Sequence, residues 1–210
     1  MNDILEGYAA AATPDLIDRY EAFDPADLYA SVLDLFPTRK ARVADIGAGT
    51  GRDAAWSARR GHDAVAVEPV RQLREAGMAL HRDDGILWIE DALPHLSKLA
   101  AHGPFDLMTL CGVWQHIDDE EREIAMIRMA QLAADGCLLV MSLRHGPGAP
   151  GRPVYPVSTD ETIGAAMQSG FSLRRRAEID SIQPGNRAMG VRWTWLAFKK
   201  QSCAQTGAAA

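Results

Sequence analysis

Val43-Ala44-Asp45-Ile46-Gly47-Ala48-Gly49-Thr50-Gly51-Arg52-Asp53 opens as an apolar strand, passes an acidic residue and turns through three alternate glycines into a helical pattern. Glycines so placed let a backbone turn tightly and approach a ligand that a Cβ would exclude. The N–H groups of the following helix N-terminus then point at whatever binds there. Such a loop marks a cofactor site at the mouth of an α/β sheet.

Outward from this loop, strands and helices alternate. Strands are predicted at 42–46, 64–68, 86–89, 105–111 and 137–143. Helices are predicted at 51–60, after Pro69 to 81, at 94–101 and at 118–134. Strands that are apolar on both faces and alternate with helices indicate a parallel, doubly wound sheet. Residues 145–156 repeat Gly and Pro and read as a long loop. Ser158 or Thr159 can cap a helix to 168, and strands follow at 171–177 and 191–199, joined by a loop at 183–186. Upstream, Thr13 ahead of Pro14 announces a helix over 14–21, and Asp24 ahead of Pro25 a second over 25–36. Residues 1–40 are too short for a domain, so they either cover a sheet edge or form a lid over the cofactor mouth. The main domain spans 41–200, and the small, polar stretch 201–210 reads as a disordered tail.

The 210 residues are 47% hydrophobic and 24% charged, enough for one well-packed domain, and the net charge is −6. That balance disfavours a nucleic-acid partner, whose phosphates call for clustered Lys and Arg. The one basic run, Arg174-Arg175-Arg176, is short. Cys111, Cys137 and Cys203 lack metal-ligand spacing and suit a reducing compartment. With no basic-apolar leader at Met1 and no apolar run of membrane-spanning length, the expectation is a soluble, cytoplasmic protein. Oligomeric state stays open.

The glycine spacing separates the cofactors. A nicotinamide or flavin site wants G-x-G-x-x-G; here the pattern is D-x-G-x-G-x-G, with Arg52 at the place of the last glycine. Glu68 ends the second strand, where a carboxylate can accept hydrogen bonds from a ribose diol, and Asp91 follows the third. An acidic residue after each of three strands suits a cofactor with an amine, a ribose and an adenine, and would repel a pyrophosphate. The balance favours S-adenosyl-L-methionine. Taken singly, Asp45 could be a cap, Glu68 a solvated strand end and Asp91 a helix N-cap.

In these motifs the sequence resembles the class I S-adenosylmethionine-dependent methyltransferases. The stretch from Val43 to Gly51 looks like that family's first motif, Val65-Ala66-Val67-Glu68-Pro69 its second and Glu90-Asp91-Ala92 its third. Phe105-Asp106-Leu107-Met108-Thr109-Leu110 and Gly136-Cys137-Leu138-Leu139-Val140-Met141 are similar to its fourth and fifth strands. The resemblance implies a single Rossmann-like α/β domain with a seven-stranded, mostly parallel sheet in the order 3-2-1-4-5-7-6, strand seven antiparallel, and helices on both faces. It also implies that Asp45, Gly47, Ala48, Gly49 and Gly51 hold the methionine part of the cofactor, with the backbone at Leu110 and Cys111 facing it. Glu68, beside Pro69, would take the ribose and Asp91 with Ala92 the adenine, and the product would be S-adenosyl-L-homocysteine.

Methyl transfer is an in-line displacement, so placing the acceptor can supply much of the rate, while a neutral hydroxyl or amine can also need a base. His116, after strand four, reads either as that base or as a histidine at a helix start ahead of Asp118-Asp119-Glu120-Glu121. His145, after strand five, is a second candidate. Trp114 reads as substrate contact, pocket wall or core. Arg144 and Arg152 could clamp an acidic acceptor, or Arg144 could pair with a structural carboxylate; Tyr155 lies in the same loop. Tyr8 and Tyr20 reach the site only if the N-terminal segment is a lid. Trp193 and Trp195 share one face of the last strand and read as core. The acidic run is explained by the helix dipole rather than by a metal site.

The expected activity is methyl transfer to a small-molecule O- or N-nucleophile. Its rivals are a protein or peptide methyltransferase, a catalytically idle S-adenosylmethionine-binding partner subunit and a nicotinamide-dependent oxidoreductase.

Overall fold

The structure is a computed structural model, which describes residues 2–202. Its strands β1 (Arg42–Ile46), β2 (Asp63–Val67), β3 (Leu87–Ile89), β4 (Phe105–Leu110), β5 (Ala133–His145), β6 (Phe171–Asp180) and β7 (Arg192–Lys200) form one sheet in the order β3-β2-β1-β4-β5-β7-β6. The first five pair in parallel and β7 runs antiparallel between β5 and β6. The sheet order and the reversed strand are those the motifs implied.

Side chains alternate across a strand, and this period divides the interior into two cores. Ala44, Ile46, Met108, Leu139, Met141 and Phe198 face one side, where α6 (Asp119–Leu132) and α7 (Thr159–Gln168) bring Met126, Met129 and Ala166. Val43, Leu107, Val140, Trp195 and Ala197 face the other, covered by Tyr29, Val32 and Phe36. The second of these faces is covered by residues 29–36. They do not continue the helix expected over 25–36. That helix stops as a single turn, α3 (Pro25–Leu28), and a short 3₁₀ turn follows at Leu33–Leu35. The break lets Tyr29, Val32 and Phe36 all turn onto the sheet.

The glycine loop leads into α4 (Arg52–Arg59), and α5 (Arg71–Leu80) follows β2. Gly77 sits inside α5, where glycine costs about 1 kcal/mol relative to alanine. A Cβ there would lie 2.4 Å from the carbonyl oxygen of Thr50 and from the Trp88 ring. Its absence lets α5 press against the glycine loop.

The helix expected over 94–101 does not form. Asp91 accepts the backbone N–H groups of Ala92, Lys98 and Leu99, which folds the segment into a closed turn ending in a short 3₁₀ stretch at Leu99–His102. The long helix before β5 is as anticipated, with a full capping box between Asp118 and Glu121. A short helix, α8 (Pro184–Ala188), lies where only a loop was expected between β6 and β7.

At the N-terminus, α1 (Asn2–Ala11) precedes α2 (Pro14–Glu21). No capping residue or apolar period in the sequence announces α1. It gains its place through tertiary contacts: Ile4 is buried, and the helix packs on α5. Thr13 caps α2 as expected, accepting from the N–H of Leu16. The tail expected from 201 lies, from 203 onward, outside the described residues, and Cys203 with it. Among the described residues no helix is long and apolar enough to cross a membrane.

Candidate active site

Gly47, Gly49 and Gly51 all have positive φ, as the alternate spacing requires. Their roles differ. A Cβ on Gly47 would lie 2.5 Å from Val113 and one on Gly51 2.4 Å from Trp88, so these two are constrained by packing. A Cβ on Gly49 would meet nothing closer than Tyr20 at 3.5 Å; its face opens on a cavity. The loop amides are not free for an anion. Gly47 and Ala48 donate to the carbonyl of Val67, and Gly49 donates to Glu68. The loop is therefore fastened to the end of β2 and offers no N–H cradle at these three positions, which disfavours a pyrophosphate.

The cavity beside the loop has a volume of about 250 Å³. One end carries Asp45, Asp53, Glu68 and Asp91, with Arg52. Asp45 is buried and accepts from Thr109 Oγ1 at 3.0 Å. Burial raises its carboxyl above the ordinary range, and the neighbouring Asp53 charge adds to this. Asp53 is held by Arg52 Nε at 2.7 Å and by the hydroxyl of buried Tyr29 at 2.8 Å. Glu68 accepts the N–H groups of Gly49 and Val70, each at 2.7 Å; burial nevertheless pushes its carboxyl up to about 7. Thr50 donates to Glu21, which ties α2 to the loop. Cys111 lines the same end, its thiol pushed up to about 12 by burial, and so is no nucleophile at neutral pH.

The other end is aromatic and apolar, built from Ile4, Leu5 and Tyr8 of α1, Tyr20 of α2, His116, Ile179, Ile182, Trp193 and Trp195. Tyr8 Oη lies 2.8 Å from His116 Nε2, and His116 Nδ1 lies 3.1 Å from the carbonyl oxygen of Pro153. A carbonyl only accepts, so Nδ1 carries the hydrogen and Nε2 accepts from the tyrosine. Burial lowers the imidazole to about 4, so His116 is neutral at pH 7. Burial likewise holds the Tyr8 hydroxyl above its ordinary value, in its protonated form.

This fold and cavity have relatives. The sequence matches the family described as "Methyltransferase domain" over residues 19–204. The chain belongs to that family. It is an S-adenosylmethionine-dependent methyltransferase. No curated protein matches the sequence. Among solved structures the methyltransferase is similar to a TehB-like SAM-dependent methyltransferase from Corynebacterium glutamicum, at 19% identity and TM-score 0.66, covering 94% of this chain and 98% of that one. It is also similar to a 1,6-didemethyltoxoflavin-N1-methyltransferase from Burkholderia thailandensis with bound S-adenosylhomocysteine, at 20% identity and TM-score 0.63, covering 93% and 89%. A third is magnesium protoporphyrin IX methyltransferase from Synechocystis, at 17% identity and TM-score 0.64, covering 95% and 86%. At these identities the likeness is one of fold.

The donor set of the methyltransferase fits its cofactor, S-adenosylmethionine: carboxylates that suit a cationic, hydroxyl-bearing ligand, and loop amides at Gly47, Ala48 and Gly49 that are already engaged and so not free for a phosphate. Of the cofactor residues inferred from sequence, Asp45, Gly47, Ala48, Gly49, Glu68, Pro69, Asp91, Ala92 and Cys111 line the cavity. Leu110 is buried in the core and Gly51 packs under Trp88, so neither lines it.

Of the acceptor-side residues, His116 and Tyr20 line the cavity. Trp114 is buried in the core, its indole N–H donating to Thr162 at 3.3 Å, so it is not a substrate platform. His145 turns away, with Nε2 2.8 Å from Thr194 Oγ1 in a separate polar cleft. Tyr155 is exposed and outside the cavity, although its backbone N–H fixes the loop on Gln115. Arg144 and Arg152 stand behind lining residues, stacked over Trp193 and Tyr8. Trp193 and Trp195 were read as core; Trp195 is core, and both rings also form cavity wall. Arg52, Asp53 and Tyr29 were missed as site residues, although Arg52 and Asp53 lay in the quoted motif, one and two places past the last glycine. Arg52 stands where the dinucleotide pattern puts its last glycine, and that departure was the signal the sequence carried.

Proposed function

We propose that the enzyme methylates a small-molecule O- or N-nucleophile held between the glycine loop and the Tyr8–His116 pair, with α1 and α2 acting as a lid. The hydrogen bond from Tyr8 to His116 carries this reading, because it crosses from the lid to the loop after β4 and bounds the space an acceptor can use. A cavity walled on that side by Ile4, Leu5, Tyr8 and Tyr20 suits a small acceptor better than a protein segment.

The cofactor supplies a methyl group on a sulfonium, whose loss leaves the neutral thioether S-adenosylhomocysteine. In this reading Glu68 takes the ribose hydroxyls, Asp91 and Ala92 face the adenine, and Asp45 and Arg52 take the amino-acid end. As the acceptor X–H forms its X–C bond, its proton passes to Tyr8 Oη and the tyrosine's own proton to His116 Nε2. The C–S electron pair stays on sulfur, and the charge ends on the imidazole, which Pro153 keeps oriented. A base with so low a pKa works best on acceptors that release a proton readily. The two described cysteines are unpaired, which supports a reducing cytoplasm as the working compartment.

The test is a metabolite extract incubated with enzyme and methyl-labelled cofactor. Label in dialysable products supports the reading. Label retained on macromolecules would move it to a protein methyltransferase, and no S-adenosylhomocysteine from any fraction would leave an idle binding subunit.

A further inference from the structure

Around the Tyr8–His116 pair stand two guanidinium groups that meet no carboxylate among the described residues. Arg52, Arg74, Arg122 and Arg175 are also partly or wholly buried, and each is paired with an acid: Asp53, Glu90, Asp119 and Asp34. Arg128 is held by the carbonyl of His95 and by Gln131. Arg144 has only neutral partners, the carbonyl of Pro147 at 2.7 Å and Asn186 Oδ1 at 3.3 Å, and its guanidinium lies 5.5 Å from the centre of the Trp193 ring. Arg152 has less. Among the described residues its guanidinium makes one hydrogen bond, a long 3.4 Å contact to Tyr20 Oη; it lies 5.1 Å over the Tyr8 ring, and its Nε is buried with no partner.

A buried guanidinium N–H without an acceptor, as at Arg152 Nε, is costly, and a second cation close by that has only neutral partners adds to the cost. Burial holds Arg144 below its ordinary value; Tyr8 opposes that shift and the charge of Arg152 adds to it. Both also act electrostatically on Tyr8 and His116. The three rings they touch or stack on, Tyr8, Tyr20 and Trp193, all form cavity wall. Arg52, a cavity-lining cation, is bound to Asp53 and so is already paired with an acid. A chain of net charge −6 that leaves these two arginines without an acid is built to receive one.

We propose that the methyl acceptor carries an oxyanion, a carboxylate or a phosphate, which extends past the Tyr8 and Trp193 rings of the cavity wall to Arg144 and Arg152. The inference rests on the acceptor cavity proposed above and names the class of molecule that enters it. Guanidinium forks match such groups in geometry as well as charge. They also explain the weak base: an acid already bound between two cations gives up a neighbouring proton more easily.

The experiment passes the dialysable metabolite extract over an anion exchanger at neutral pH before adding enzyme and methyl-labelled cofactor. Acceptor activity is expected in the salt eluate. Loss of that activity on phosphatase treatment assigns a phosphate, and its survival a carboxylate. Activity in the flow-through overturns the oxyanion while leaving small-molecule methylation intact; no activity in either fraction sinks the underlying reading instead. With the active fraction, Arg152→Gln and Arg144→Gln should each raise the acceptor KM about 10- to 100-fold, since each removes hydrogen bonds to a charged group. S-adenosylhomocysteine affinity should stay unchanged by calorimetry. An unchanged acceptor KM, or a loss confined to S-adenosylhomocysteine affinity, would overturn the assignment.

Discussion

Replacing Gly7 by alanine should disable the enzyme without unfolding it. Gly7 lies in α1, and a Cβ placed on it would stand 1.9 Å from the carbonyl oxygen of Gly151. Ordinary contact begins near 3.4 Å, so α1 and the loop carrying Arg152 must part by about 1.5 Å. Tyr8 is the next residue. Its hydroxyl is 2.8 Å from His116, and a rigid shift of that size takes it beyond hydrogen-bond distance. Misplacement by about 1 Å can cost on the order of 100-fold in rate, and kcat/KM for the acceptor should fall by about that factor. Stability should move little, because alanine is the better helix former by about 1 kcal/mol and offsets part of the lost packing. The assay is methyl transfer from labelled cofactor, alongside a denaturant melt and calorimetry with S-adenosylhomocysteine, whose affinity should hold. Tyr8→Phe removes the donor and leaves α1 seated, so the double variant should be little worse than Gly7→Ala alone. Wild-type kcat/KM in Gly7→Ala would refute the coupling between the α1 contact and the Tyr8–His116 pair.

Three further outcomes follow from the same geometry. Glu68→Ala deprives two backbone N–H groups and the ribose of their acceptor, so affinity for S-adenosylhomocysteine should weaken by about 100-fold; unaltered calorimetric affinity removes Glu68 from the ribose site. Burial holds His116 down at about 4 against an ordinary 6.5. The unfolded chain therefore binds the extra proton first, and stability present above pH 6.5 is lost as pH falls toward 4, up to a ceiling of about 3 kcal/mol. Denaturant melts of wild type and His116→Gln over that window should diverge, and parallel curves would place the imidazole in water. Tyr29→Phe strips one donor from buried Asp53 and should cost about 1–3 kcal/mol by equilibrium unfolding; a neutral result would mean that water takes over the bond.

Much of the fold was readable because its signals are local. The apolar runs of β1, β4 and β5 and the glycines at 47, 49 and 51 each act within a few positions. Thr13, Asp24 and Ser158 cap their helices as their positions suggested. The misreadings came where a distant partner decided. Residues 25–36 look like one amphipathic helix, yet the sheet face needs Tyr29, Val32 and Phe36 together, and the helix gives way. Residues 94–101 look helical, yet the Asp91 carboxylate collects three amide groups and closes a turn instead.

The site divides in the same way. The sequence by itself determined which carboxylates and glycines share the cavity: Asp45, Gly47, Gly49, Glu68 and Asp91 sit at strand ends that a parallel sheet brings to one edge, so their meeting follows from strand order alone. The Tyr8–His116 side of the cavity comes together only in three dimensions. Tyr8 and His116 are 108 positions apart, and Arg152 and Tyr20 132. No periodicity or spacing links such residues; α1 must first fold and dock for them to meet. Trp114, His145 and Tyr155 had equally plausible places after strands four and five, and the direction of each side chain took it elsewhere. Position along a strand fixes which end of the sheet a residue reaches, while packing decides which way it faces.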